Sequence, residues 1–89
     1  MDLIDNKDHQ RFELPEEGGT VIANYRRASG LIEITYVESP PALRGTGAAG
    51  RMMEALMDIA RGEGARIRPI CGYAHAWMRR HPDHHDLMA

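Results

Sequence analysis

The chain has 89 residues, a formal net charge of -2 and a single cysteine. That length allows one domain, and the near-neutral charge balance argues against a dedicated nucleic-acid binder. No apolar run approaches the roughly 18 residues of a membrane span, Met1 to Asp5 lacks the basic and apolar regions of a secretory signal, and one cysteine permits no internal disulfide, which fits a reducing, cytoplasmic setting. A core this small gives marginal stability, so a bound cofactor or a weak homodimer would help, and a monomer is equally compatible.

Residues 1–8 are polar without a period and read as a loosely ordered lead-in, flexible ahead of a domain spanning 9–89. Phe12 and Leu14 alternate with Arg11 and Glu13, the pattern of a short strand. Pro15 to Gly19 is a turn cluster. Val21, Ala23 and Tyr25 alternate with Asn24 and Arg26 in a second strand, and Arg27 to Gly30 makes another turn. Leu31 to Val37 is the strand richest in β-branched residues. Short loops between successive strands predict an antiparallel meander. A helix starts near Gly47 or Ala48, with Ala49, Met52, Met53, Leu56, Ile59 and Ala60 on one apolar face, and Gly62 and Gly64 stop it. Ala65 to Cys71 reads as a last strand, parallel to Leu31–Val37 because a helix crosses between them. Pro69 cannot donate to a ladder, so pairing is incomplete there. A short helix, about Tyr73 to Arg80, ends before Pro82, and Asp83 to Ala89 reads as a short polar tail.

Between strand and helix lies Pro40-Pro41-Ala42-Leu43-Arg44-Gly45-Thr46-Gly47-Ala48-Ala49-Gly50. A strand, a small-residue loop and a helix start together make an anion site. The first helical N–H groups have no intrahelical acceptor, and the helix dipole puts partial positive charge there. Glycine lets a phosphate approach the backbone, and Arg44 adds a fork-shaped cation. The Walker loop would need a lysine, and none stands here. Gly45, Gly47 and Gly50 also fit Gly-x-Gly-x-x-Gly, but the acidic residue a dinucleotide site wants about twenty positions on is replaced by Arg66 and Arg68.

Arg44-Gly45-Thr46-Gly47-Ala48-Ala49, read as Arg-x-x-Gly-x-Ala, resembles the acetyl-CoA pyrophosphate loop of the GNAT acetyltransferase superfamily. With the preceding Pro40-Pro41-Ala42-Leu43, then Ile67-Arg68-Pro69-Ile70-Cys71 and Arg79-Arg80-His81-Pro82, the chain is similar from Phe12 to Leu87 to the short, single-domain GNAT-like N-acetyltransferases. The resemblance implies an α/β (α+β) fold: an antiparallel meander followed by β-loop-α-β-α, its last two strands parallel and splayed around the cofactor's pantetheine arm. It implies acetyl-CoA as cofactor and an amine, small or on a protein, as acceptor. Backbone at Val37 and Glu38 would meet the thioester, Arg44, Gly45, Thr46, Gly47, Ala48, Ala49 and Gly50 the pyrophosphate, and Arg79, Arg80 and His81 further phosphates.

Cys71 and Glu38 are the candidate catalytic residues. Cys71 stands at a strand end before a helix and near arginines, the setting in which a thiol becomes a nucleophile, and by resemblance it faces the thioester; the plainer reading is a small hydrophobe lining the cleft. Glu38 stands where strand meets loop, and a carboxylate there can take a proton from the incoming amine through water. Two positions depart from the family pattern. Tyr36 stands where a histidine is usual, and Trp77 where a tyrosine protonates the leaving thiolate, with Tyr73 a possible substitute one turn earlier. The acetyl group would pass to the amine by direct attack or through a Cys71 thioester. Because of those departures, a CoA-binding sensor or subunit without turnover is the alternative, and a nucleotide-phosphate binder a third. His75 reads as surface, and His81, His84 and His85 lack the rigid frame of a metal site, so no metal is expected.

Overall fold

The computed structural model describes residues 2–89; Met1 lies outside the described residues. Four strands, β1 (Ile4–Asn6), β2 (Arg11–Glu16), β3 (Gly19–Ala28) and β4 (Leu31–Glu38), form an antiparallel meander. Helix α1 (Ala48–Glu63) crosses to β5 (Arg66–Pro69), which joins β4 in parallel, and sheet order equals chain order. Helix α2 (Gly72–Arg79) and a 3-10 segment, Pro82–Leu87, complete the chain. The fold is therefore the mixed α/β arrangement expected from the sequence.

The elements follow from local chemistry. Two-residue turns, Glu17-Gly18 and Ser29-Gly30, close the β2–β3 and β3–β4 hairpins, with Gly18 and Gly30 at positive φ as such tight turns require. Alternation puts Phe12, Leu14, Val21, Ala23, Tyr25, Ile32, Ile34 and Ile67 on one face of the sheet, where all are buried. Helix α1 covers that face with Ala48, Met52, Met53, Leu56, Met57 and Ala60. Ala49 and Ile59, expected within the stripe, lie at its margin, and Met57 takes the central place. Gly64 ends α1 in the left-handed conformation: its N–H bonds Arg61 and that of Ala65 bonds Ala60, a Schellman closure. The other sheet face presents Asn24, Glu33, Tyr36, Glu38, Arg68 and Ile70 to solvent or half-burial.

Two segments are more ordered than their polarity implies. Within residues 1–8, Ile4–Asn6 is an edge strand paired with Arg11–Glu13, and Asp5 accepts the buried Tyr25 hydroxyl at 2.5 Å and the Arg27 guanidinium at 3.1 Å. Polar side chains carry this strand, so no apolar period marks it. The C-terminal segment is likewise docked: Leu87 is buried, the Ala89 N–H bonds the Ile67 carbonyl at 2.7 Å, and Arg61 holds Asp86. The last strand is shorter than Ala65–Cys71, because β5 turns away from β4 after Pro69, and Cys71 caps α2 instead.

The β2–β3 turn supports the Pro40–Gly50 loop. A Cβ on Gly19, whose φ is +148°, would stand 2.7 Å from Pro40 Cγ. Gly19→Ala is therefore expected to cost about 1–3 kcal/mol, lowering the melting temperature by roughly 4–8 °C per kcal/mol. Thermal unfolding followed by circular dichroism checks this, and an unchanged midpoint would contradict the contact.

Candidate active site

The loop leaves β4 at Glu38 and is pinned at once. Pro41–Leu43 forms a 3-10 turn whose Leu43 is buried in the core, and the Thr46 hydroxyl donates to the Leu43 carbonyl at 2.6 Å. Gly45 and Gly47 have φ of +77° and +84°, a conformation that side chains adopt only with strain. Gly47 caps α1 without any side-chain cap, and the first turn holds no acid. The N–H groups of Ala48, Ala49 and Gly50 thus begin a helix with no acidic side chain in its own first turn.

Arg51 holds the loop from behind. Its guanidinium grips Glu16 with bonds of 2.8 and 2.6 Å and donates to the Thr46 carbonyl at 3.0 Å. That bond holds the Glu16 carboxyl below the ordinary glutamate range. Nothing in the sequence paired Arg51 with Glu16, which lies 35 positions away.

The strand pair opens beside the loop. The β3–β4 register shifts between Asn24 and Tyr25, leaving Thr35 as an extra residue in β4. The parallel ladder with β5 ends one position earlier, at Ile34–Pro69. The N–H groups of Ile70 and Cys71 both converge on the Ile34 carbonyl, at 3.0 Å each. Tyr36, Val37 and Glu38 continue with β3 on one side and no β5 partner on the other. A bulge that re-aims a strand and a proline without an N–H together produce this splay.

Two adjoining cavities, of ≈ 300 and ≈ 290 Å³, make one groove there, sharing Ser39, Arg44, Ala49 and Tyr73. One end is lined by Gly45, Gly47, Ala48 and Gly50, the other by Tyr36, Val37 and Glu38. At the second end the Tyr36 hydroxyl donates to Glu38 at 3.3 Å. The Glu38 charge pushes the Tyr36 phenol above its ordinary range, and burial does the same for Tyr73. Both phenols therefore keep their protons at neutral pH.

The structure brings Val37, Glu38, Arg44, Gly45, Gly47, Ala48, Ala49 and Gly50 together along this groove. Thr46 turns its hydroxyl back into the loop. Among the described residues, Arg11, Arg26, Arg27, Arg51, Arg61 and Arg68 form salt bridges and Arg66 bonds the Met88 carbonyl. Arg44, Arg79 and Arg80 form none, although Arg79 and Arg80 line a separate recess with Ala76. His81 instead stacks on Trp77, with ring centroids 3.7 Å apart, and lines a ≈ 480 Å³ cavity with Gly47 and Gly50. Trp77 is thus a packed indole, and Tyr73 and Tyr36 supply the groove's phenols. Cys71 is half-buried beside the core at the start of α2 and lines none of these cavities. Ser39 and Tyr36 were not among the expected cofactor or catalytic residues; the alternation Tyr36–Glu38 was the available signal, since it puts both on one face.

A family model of GCN5-related N-acetyl-transferases matches residues 11–87, and the chain belongs to that family, whose members are acyltransferases. Its fold is similar to the solution NMR structure of a GCN5-like candidate N-acetyltransferase from Staphylococcus aureus. The two share 16% identity with a TM-score of 0.71, over 99% of this chain and 87% of that one. No curated protein sequence matches. No helix among the described residues is long and apolar enough to cross a membrane.

Because the folded-state pKa of Glu16 is depressed, its bond to Arg51 contributes stability above the ordinary glutamate pKa, and that contribution is lost as pH falls through the lower, folded value. Arg51→Met should therefore lower the melting temperature at pH 7 and converge with the parent chain in the acid limb. A pH series of thermal melts checks this; a difference that persists undiminished at the lowest pH would contradict it.

Proposed function

We propose that this chain binds acetyl-CoA in the groove between the Arg44–Gly50 loop and the β4–β5 splay, and transfers the acetyl group directly to an amine, in a reducing, cytoplasmic setting. The observation that carries the reading is the junction itself: an uncapped helix N-terminus with two positive-φ glycines opens onto a strand whose parallel partner has just departed. These residues fit the cofactor. Arg44 has no carboxylate partner among the described residues, and glycine backbone can approach a diphosphate closely.

Bound acetyl-CoA would supply an acetyl group activated as a thioester. The N–H groups of Gly45, Gly47, Ala48, Ala49 and Gly50 and the Arg44 guanidinium would hold the diphosphate, while the Thr46 N–H is taken by the Leu43 carbonyl at 3.2 Å. A further phosphate would be taken by Arg79 and Arg80 in their recess at the outer side of α2 or by His81 beside Gly47 and Gly50. The open stretch of β4 at Val37 offers backbone to orient the thioester. Glu38 accepts the proton that the acceptor ammonium must lose, with its carboxylate oriented by the Tyr36 hydroxyl. Tyr73 holds a phenolic proton at Oη in the same groove, available to a departing thiolate. Glu38 lines the groove and Cys71 does not, which favours direct attack. The thioester route through Cys71 stays as a second reading because Cys71 opens α2 two residues before Tyr73, which lines the groove.

The test compares acetyl transfer by the parent chain with Glu38→Gln, Arg44→Gln and Cys71→Ala. Glu38→Gln should lower kcat by about 10²–10⁴-fold while retaining acetyl-CoA affinity. Arg44→Gln should weaken acetyl-CoA by roughly tenfold in a calorimetric titration. Cys71→Ala should retain most of the activity. Loss of activity in Cys71→Ala, with an acetyl adduct on the parent chain by intact mass spectrometry, would replace direct attack by the thioester route. No acetyl-CoA binding by the parent chain would overturn the whole reading.

A further inference from the structure

The acceptor end of the groove has a composition of its own. Four large hydrophobic side chains stand exposed among the described residues: Ile4, Tyr36, Ile70 and Tyr73. Ile4 lies on the far edge strand β1, while the other three gather where β4 and β5 part. Tyr36 and Tyr73 line the same ≈ 290 Å³ cavity. Ile70 immediately follows Pro69, where β5 leaves the ladder. Tyr36 is 48% and Ile70 49% exposed; Ile70 lines neither cavity and flanks the groove from the strand end.

Charge at this mouth is equally one-sided. Glu38 is the one carboxylate lining the cavity, and its single cation, Arg44, belongs also to the glycine end. The two guanidiniums on the neighbouring sheet surface, Arg26 and Arg68, are both bound to Glu33, at 3.3 and 3.1 Å. An anionic acceptor would meet Glu38, and the one cation of the cavity, Arg44, is the group assigned above to the diphosphate. A polyamine would find one carboxylate for several ammonium groups. A single ammonium attached to an apolar or aromatic body satisfies every group present: the charge meets Glu38 and the tyrosine faces, and the body covers Tyr36, Tyr73 and Ile70.

We infer that the acceptor is a small monoamine with an apolar or aromatic body, an arylalkylamine in its simplest form, selected by Tyr36, Glu38, Ile70 and Tyr73. The inference rests on the acetyltransferase reading above and adds the class of amine. Tyr36 has two parts in it: its ring contacts the acceptor, and its hydroxyl fixes the carboxylate that receives the ammonium.

The experiment measures thiol release from acetyl-CoA with 2-phenylethylamine, spermidine, phosphoethanolamine and a short lysine peptide, with acetyl-CoA binding followed in parallel by thermal shift. The expected result is a kcat/KM for 2-phenylethylamine at least about tenfold above each of the others. Tyr36→Ser and Ile70→Ser should each raise its KM by roughly tenfold, with the acetyl-CoA thermal shift retained. Ile4→Ser, an equally exposed site away from the groove, should leave KM unchanged. Tyr36→Phe should recover the ring contribution to KM and keep a reduced kcat, which a merely structural role for Tyr36 would not separate. Preference for spermidine, phosphoethanolamine or the peptide would overturn the inference. So would a panel in which no amine is acetylated although acetyl-CoA still stabilises the chain. Failure of acetyl-CoA to bind would instead remove the cofactor groove, and the acceptor class with it.

Discussion

The Ile34 carbonyl accepts the N–H groups of both Ile70 and Cys71, and beyond it β4 and β5 part. Here Pro69 brings no donor, and the extra residue Thr35 re-aims β4 at the same level. The pairing therefore stops inside β4, leaving Tyr36 to Glu38 with an open side next to a helix N-terminus. Every feature of the candidate site depends on that opening, because without it the Arg44–Gly50 loop would face a closed sheet edge.

The loop is held by contacts spread over the molecule rather than by its own sequence. Leu43 is buried in the core beneath it, the Gly18–Gly19 turn packs on Pro40 and Leu43, and Arg51 ties it to Glu16 on β2. The two positive-φ glycines are thus fixed in a conformation suited to anion binding before any ligand arrives, which spares ordering cost on binding. The same economy explains how a chain with one small core supports a site at all: strand, loop and helix start are each part of the packing.

Much of this was legible in the residues. Alternation in Phe12–Leu14, Val21–Tyr25 and Leu31–Val37 gave the meander, and the 3–4 spacing of Met52, Met53, Leu56 and Ala60 gave α1. The glycine-rich loop and its arginine were legible as a candidate anion site through local chemistry alone. What was not legible came from distant pairs. Ile4–Asn6 is a strand because Asp5 satisfies Tyr25 and Arg27, and Leu87 is buried because the final 3-10 segment folds back on the helices. The separation of Arg79 and Arg80 from His81 follows from the end of α2 at Arg79: His81 lies beyond the capping Arg80 and turns back onto Trp77, its ring nitrogen 2.6 Å from the Trp77 carbonyl. Neither is a property of the Arg-Arg-His-Pro string itself.

The most direct test is a titration of the isotopically labelled chain with acetyl-CoA, following backbone amide resonances by two-dimensional NMR. The account predicts that the amides of Gly45 to Gly50 shift most, joined by Val37 and Glu38 on the open part of β4, while β1 and the β2 strand away from Glu16 stay in place. Shifts centred elsewhere, or none at saturating cofactor, would contradict it.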